Sequence, residues 1–266
     1  MKNTNPAEKV LEIINRVYYR GLTTTSGGNI STIDEEGNIY ITPSAIDKGR
    51  LTLDDIIKVR PDGTVEGKHK PSCELPFHSN VYKLRPDIKA IVHAHAPAIV
   101  AFAVTRTIPN VHLTSHTEKM CSNISTSAYS LPGSLKLGNI IAEEFKKGYD
   151  IVMMDSHGAV VGGKDLDEAY SLYESLDFAA RMQINANTAG CSLAEYRTKN
   201  KIEPPAAKTF VNGSQSEEEQ KQRQEICDLC KRSYTLNITS CLDGTLAVKL
   251  EDGSILITPA GKDRNS

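Results

Sequence analysis

Two histidines one residue apart in an apolar run are half of a metal site, and this chain carries such a pair in Ile91-Val92-His93-Ala94-His95-Ala96-Pro97. The β-branched approach and the closing proline read as a strand. Side chains alternate along a strand, so both imidazoles leave one face and Ala94 the other. A third histidine, His157, follows the apolar run Ile151-Val152-Met153-Met154 after Asp155-Ser156. Three neutral imidazoles with one position left open describe a catalytic zinc or a similar divalent ion, not a closed structural site. Glu74, in Pro71-Ser72-Cys73-Glu74-Leu75-Pro76-Phe77-His78, adds a carboxylate suited to proton transfer. An isolated H-x-H is as readily a pair of surface or core histidines. The surrounding elements decide.

Those elements are legible in order. Residues 7–20 form an amphipathic helix with Val10, Ile13, Ile14 and Val17 on one stripe and Gly21 placed to end it. Thr25-Ser26-Gly27-Gly28-Asn29 leads into a hairpin, Ile30–Ile33 and Ile39–Ala45, turning at Asp34–Asn38. The small-residue turns Ser26–Asn29 and Thr42–Ala45 then stand near the ends of neighbouring strands. Backbone N–H groups there make an anion cradle, although glycines also serve ordinary tight turns. Leu51–Val59 reads as a capped turn feeding a strand. Ser72 is placed to cap a helix from about Glu74 to Leu84, whose N-terminal dipole favours a carboxylate or another anion. Further on, short helical and apolar stretches at Ala98–Ala103 and Val111–Thr114 precede a helix at Leu135–Lys146. A buried strand at Ile151–Asp155, a turn and strand at Gly158–Gly163, and a long helix from Asp165 to about Asn187 complete the pattern. That last helix has Leu166, Ala169, Leu172, Leu176 and Ala180 on its inner stripe.

Composition removes several classes of function. The chain has 266 residues, 39% hydrophobic and 24% charged, which is ordinary for a globular protein with ample core. A net charge of −2 gives no electrostatic case for nucleic acid or an anionic membrane surface. No run approaches the ~20 apolar residues that span a bilayer. The opening Met1–Pro6 lacks the apolar core of a signal peptide, so the expected location is the cytoplasm. The six cysteines have no framework spacing and read as free thiols. Cys227-x-x-Cys230 falls within a helical stretch with no second pair and reads as packing.

From about Thr198 the character changes. Residues 198–218 read as a linker, and residues 219–266 as a truncated partial repeat of the opening elements. Gln224–Arg232 echoes the first helix. Asn237-Ile238-Thr239 echoes Asn29-Ile30-Ser31, and Asp252–Ala260 echoes Glu36–Ser44. Nothing in this segment corresponds to Glu74, His93, His95 or His157.

Taken together, Gly27-Gly28-Asn29, Ile41-Thr42-Pro43-Ser44, Pro71-Ser72-x-Glu74 with His78, His93-x-His95 and His157-Gly158 resemble the class II aldolase/adducin family, within it the L-fuculose-1-phosphate aldolases. The resemblance covers residues 7 to about 190, with a catalytic domain of 1–197. It implies an α/β fold of three layers, α/β/α, with a central and mostly antiparallel sheet. It also implies a homotetramer with active sites between subunits. By the same resemblance His93, His95 and His157 hold the metal, Zn2+ or another divalent ion. Glu74 is the acid/base, and Gly28, Asn29, Ser44 and Ser72 receive the phosphate of a small phosphorylated sugar. Three positions depart from the pattern: Cys73 for the second serine at the phosphate, Leu113 for a tyrosine after His112, and Ala45 for the glycine after Thr-Pro-Ser.

The implied chemistry suits these groups. Cleaving a ketose 1-phosphate between C3 and C4 to dihydroxyacetone phosphate and a short aldehyde leaves an enediolate, which needs an electrophile on its oxygens. Proton transfer at that carbon needs a positioned base. A pentulose-phosphate epimerase is disfavoured, since those relatives carry aspartate at the Glu74 position. A dehydratase or decarboxylase of the same superfamily remains open, as does a non-catalytic, adducin-like interaction module.

Overall fold

A computed structural model describes residues 5–190, 213 and 215–265. The chain divides into two compact units, residues 1–194 and 195–266.

The first unit is built on one eight-stranded sheet in the order β4-β3-β2-β1-β5-β8-β7-β6. Its strands are β1 (Asn29–Ile33), β2 (Ile39–Ile41), β3 (Ile57–Val59), β4 (Val65–Glu66), β5 (Ala90–Ala94), β6 (Ile124–Ser127), β7 (Ile151–Met154) and β8 (Gly158–Gly163). Every neighbouring pair is antiparallel except β6 and β7. Those two run parallel, joined by the crossover helix α5, Leu135–Lys146. The other helices are, in chain order, α1 (Pro6–Tyr19) before β1, α2 (Leu75–Leu84) before β5, α3 (Pro97–Val104) and α4 (Ser115–Cys121) between β5 and β6, and α6 (Leu166–Thr188) after β8. On one face of the sheet α2 and α5 close a core of Ile39, Ile41, Ile57, Val59, Ile91, Val152, Met154 and Val160 under Phe77, Val81, Ile141 and Phe145. The other face, with Ile30, Val92 and Val161, lies under α1, α3 and α6. This is the three-layer α/β/α arrangement with a mostly antiparallel sheet.

Local sequence explains most of these elements. In α1 the stripe Val10, Ile13, Ile14 and Val17 is wholly buried. Asn5 caps the helix by accepting from Ala7 N at 3.0 Å, and Gly21, at φ +69°, turns the chain out of it. The boundary of α2 differs slightly from expectation. Glu74 itself occupies the N-cap, and Ser72 Oγ instead accepts from Glu74 N at 3.2 Å. Strand β5 stops at Ala94, so His95 stands just beyond the last ladder residue. Helix α4 and strand β6 have no counterpart in the hydrophobic pattern. Ser115–Cys121 has no apolar stripe, and Ile124-Ser-Thr-Ser127 is a polar, half-exposed edge strand.

The second unit has α7 (Glu217–Thr235) and a hairpin of β9 (Ala247–Lys249) and β10 (Ile255–Ile257). Several of its hydrogen bonds parallel those of the opening elements of the first unit. Thr42 N donates to Ile30 O at 3.1 Å while its hydroxyl accepts from Ile30 N at 3.2 Å. Thr258 and Leu246 make the same reciprocal pair at 3.0 and 3.2 Å. Leu22 N to Val17 O is echoed by Ile238 N to Ser233 O, and the left-handed Gly21 by left-handed Asn237. This register corrects one expected match: Asn237 stands for Gly21, and it is Thr245 that stands for Asn29. The hydrogen bonds decide the alignment. Of the expected linker, 198–218, residues 198–212 and 214 lie outside the described residues, as does the last residue of the expected repeat, and Glu217 already opens α7.

Candidate metal centre and proton-transfer site

Register places the first groups. Asn29 on β1 lies opposite His93 on β5, and His93 lies opposite Val160 on β8. Antiparallel partners share a face, so Asn29 and His93 project together toward α2. His95 follows two residues later on the same side. Small residues let the backbones close in here. Gly28 has φ +71°, and a Cβ on it would meet His93 O at 2.8 Å, while one on Gly158 would meet Ala94 O at 2.6 Å. His157 comes from the turn between β7 and β8, shaped by Ser156 at φ +59° and by His157 N donating to Met154 O at 3.1 Å.

The three imidazoles form a near-equilateral triangle, with ring centroids 4.8 Å apart for His93–His95 and 4.9 Å for each of the other two pairs. One ligand atom from each lies within 4.8 Å of the others. His93 Nδ1 is 2.9 Å from Ala159 O, an acceptor only. Nδ1 therefore carries the proton and Nε2 is left to ligate. That Nε2 is 3.0 Å from His95 Nε2, close to the roughly 3.3 Å between nitrogens sharing a tetrahedral zinc. Burial, reinforced by neighbouring histidine charge, pushes His95 down to about 3 and His157 down to about 4. Both rings are thereby neutral near neutral pH, the form that can ligate an ion. His93 also loses to burial, but the adjacent Glu74 carboxylate more than offsets this and raises it.

Glu74 sits beside the triangle with Oε2 3.1 Å from His93 Nε2 and Oε1 3.8 Å from His157 Nε2. Burial disfavours its charge, yet His93 and a hydrogen bond from Asn29 outweigh that and hold it well below the usual carboxylate range. Asn29 Nδ2 donates to Oε2 at 2.8 Å, whereas Oε1 is buried with no hydrogen-bond partner. Two lone-pair nitrogens and a carboxylate oxygen so close repel one another unless a cation or protons lie among them. The donor set fits a divalent ion.

Of the residues expected at a phosphate, the structure brings Ser44 and Ser72 together. Pro43 and Pro71 form an isolated antiparallel bridge, with Ser44 N donating to Lys70 O at 3.0 Å and Ser72 N to Thr42 O at 3.2 Å. Gly28 supplies a left-handed turn nearby in the sheet. The Asn29 side chain, by contrast, is turned to Glu74 and to His78. Ala45, where a glycine was expected, holds φ +56°, a conformation that costs alanine about 1 kcal/mol. Cys73 is exposed, and a Cβ on Gly133 would come within 3.4 Å of it. Sequence reasoning missed Lys48, fully buried beneath this turn, with Nζ donating to Pro43 O at 2.8 Å. Burial brings it down to about 8, partly offset by Asp47 and Cys73. It also missed Ser31 and Tyr82. The signal was present, since Glu74, His78 and Tyr82 recur every four residues along one helical face and Asn29 and Ser31 share one strand face.

Residues 8–184 match the family model for the class II aldolase and adducin N-terminal domain. The L-fuculose phosphate aldolase of Methanocaldococcus jannaschii is 34% identical over 177 residues, covering 66% of this chain and 94% of that protein. The 3-oxo-tetronate 4-phosphate decarboxylase of Haemophilus influenzae is 30% identical over 185 residues, covering 67% and 88%. A solved L-fuculose 1-phosphate aldolase superposes with a TM-score of 0.65 at 26% identity, covering 75% of this chain and 93% of that one. The chain belongs to the class II aldolase and adducin family. Within that superfamily it is an enzyme of the lyase type. Among the described residues no helix is long and apolar enough to cross a membrane.

Proposed function

We propose that this chain is a zinc-dependent aldolase that cleaves a ketose 1-phosphate of the L-fuculose 1-phosphate type to dihydroxyacetone phosphate and a short aldehyde. The reading includes a homotetramer, as the family resemblance implies, and a cytoplasmic location. The observation that carries it is the triangle of His93, His95 and His157 with the unpartnered Oε1 of Glu74 beside it. When bound there, a divalent ion supplies an electrophile for the substrate's carbonyl and hydroxyl oxygens. Glu74 moves the proton at the reacting carbon, with its unpartnered Oε1 standing beside the three histidines. Gly28, Ser44 and Ser72 hold the phosphate, with the buried Lys48 charge beneath them, so that binding at one end orients carbons at the other.

A decarboxylase is the second reading, favoured by the Haemophilus influenzae relative. The experiment that separates them incubates zinc-loaded protein with a panel of ketose 1-phosphates and with 3-oxo-tetronate 4-phosphate. Release of dihydroxyacetone phosphate supports the aldolase. Carbon dioxide from the second substrate alone would replace it.

Two smaller outcomes follow from the same reading. Cys73→Ser restores a hydroxyl next to Ser72, and a thiol is a poor donor, so KM for a phosphorylated substrate is expected to fall several-fold with kcat little changed. Steady-state kinetics of the two proteins checks this. We also take residues 1–197 as the catalytic domain. A chain ending near Asn200 is expected to fold, bind its metal and keep its turnover, because every site residue precedes α6 or lies within the matched span. Metal content, activity and oligomeric state of the shortened chain are the measurements. Loss of any of them would assign the second unit an essential part.

A further inference from the structure

Behind Glu74 runs an unbroken line of buried polar side chains. Asn29 Nδ2 meets Glu74 Oε2 at 2.8 Å, and Asn29 Oδ1 meets His78 Nε2 at 2.5 Å. His78 Nδ1 meets Ser31 Oγ at 2.7 Å, and Ser31 Oγ meets the Tyr82 hydroxyl at 2.6 Å. None of these five residues exposes more than 6% of its surface. Buried polar groups left without partners are costly, so every link in the line is energetically constrained.

The direction of every hydrogen in it follows from the two ends. A carboxylate only accepts, so Asn29 presents its NH2 to Glu74 and its carbonyl to His78. His78 must therefore donate from Nε2. Burial, with the His93 charge, pushes His78 down to about 3, which keeps the ring neutral and makes Nδ1 an acceptor. Ser31 donates to it, and Ser31 in turn accepts from Tyr82. The far end demands the same polarity independently. Burial raises the Tyr82 phenol, so its proton stays, and Ser31 is the one partner recorded for it among the described residues.

We propose that His78, Ser31 and Tyr82 are positioning residues for Glu74, forming a one-way hydrogen-bond line that, relayed by Asn29, anchors Oε2 and leaves Oε1 to exchange the substrate proton. The two carboxylate oxygens thus have different tasks. The inference deepens the aldolase reading and rests on Glu74 being its base. It also accounts for the Asn29 side chain facing away from the phosphate turns.

The test uses the full-length, zinc-loaded protein. Nitrogen-15 NMR of its histidines should show His78 protonated at Nε2 and bare at Nδ1, and an Nδ1–H tautomer would overturn the assigned direction. Tyr82→Phe keeps the ring and removes only the terminal donor. His78→Gln keeps an N–H toward Asn29 but has no acceptor at the ring Nδ1 position that Ser31 meets. Each is expected to lower kcat for proton exchange on dihydroxyacetone phosphate, by about tenfold for His78→Gln and less for Tyr82→Phe, with KM and zinc content unchanged. A residue serving stability alone would lower the melting temperature and leave kcat intact, and that result would overturn the proposal. Exchange surviving Glu74→Gln would instead overturn the role of Glu74 as the base, a separately visible failure.

Discussion

His95→Ala is expected to cost the protein its metal, lowering affinity at least about a hundredfold, which is the upper range for losing a mere supporting contact. The reason lies in how little else holds the ion. Three nitrogens from His93, His95 and His157 are the cluster, and Glu74 is needed with an oxygen free. His95 is half-buried beyond the end of β5, and among the described residues its ring has no polar neighbour besides His93 Nε2, so the alanine variant should keep its fold. Elemental analysis should find about one divalent ion per chain in the parent and close to none in the variant after dialysis. An equal metal content in both would remove His95 from the site. Binding also displaces the proton that Glu74 favours on His93, so occupancy is expected to fall as pH is lowered through the range where His93 titrates.

The parts of this protein that could be read from its residues are those where one local rule acts without competition. The stripe of α1, the apolar runs of β5 and β7, and the His-x-His alternation each follow from a single period, and each lies where that period puts it. Strand β6 was illegible because a half-exposed edge strand needs no apolar alternation. Its Ile124–Ser127 pairing is dictated by β7 and by the α5 crossover, both distant in sequence. Helix α4 is likewise imposed by packing against α6. The metal triangle was legible as residue types, but its closeness depends on Gly28 and Gly158, which admit backbone where a Cβ would collide. Lys48 and Tyr82 lay hidden for a different reason. A buried lysine and a buried tyrosine look like surface and core residues until the acceptors that satisfy them are known, and those acceptors come from other segments. Asn29 shows the limit most clearly. Its place beside Gly28 marks it for the phosphate turn, while strand alternation sends its side chain to Glu74.

Glu74→Gln is expected to stop proton exchange on dihydroxyacetone phosphate, by a factor of about 100 to 10,000, while the protein keeps its metal and its phosphorylated ligand. That range corresponds to about 3–5 kcal/mol of lost transition-state stabilisation, at 1.36 kcal/mol for each tenfold. Glutamine is nearly isosteric, so it fills the space under His93, but it cannot take a proton. Asn29 then decides how the amide sits. Its NH2 requires an acceptor at the Oε2 position, so the glutamine carbonyl is drawn there and its NH2 is left where Oε1 had been. A donor that cannot accept would occupy the place of the base, next to histidines whose bare nitrogens face the same centre. The variant should accordingly separate binding from chemistry: KM and zinc content near those of the parent, kcat close to background. Proton exchange followed by NMR in deuterium oxide, with metal analysis on the same sample, makes the measurement. Exchange at the parent rate would mean that another group carries the proton, and the role assigned to Glu74 would fall.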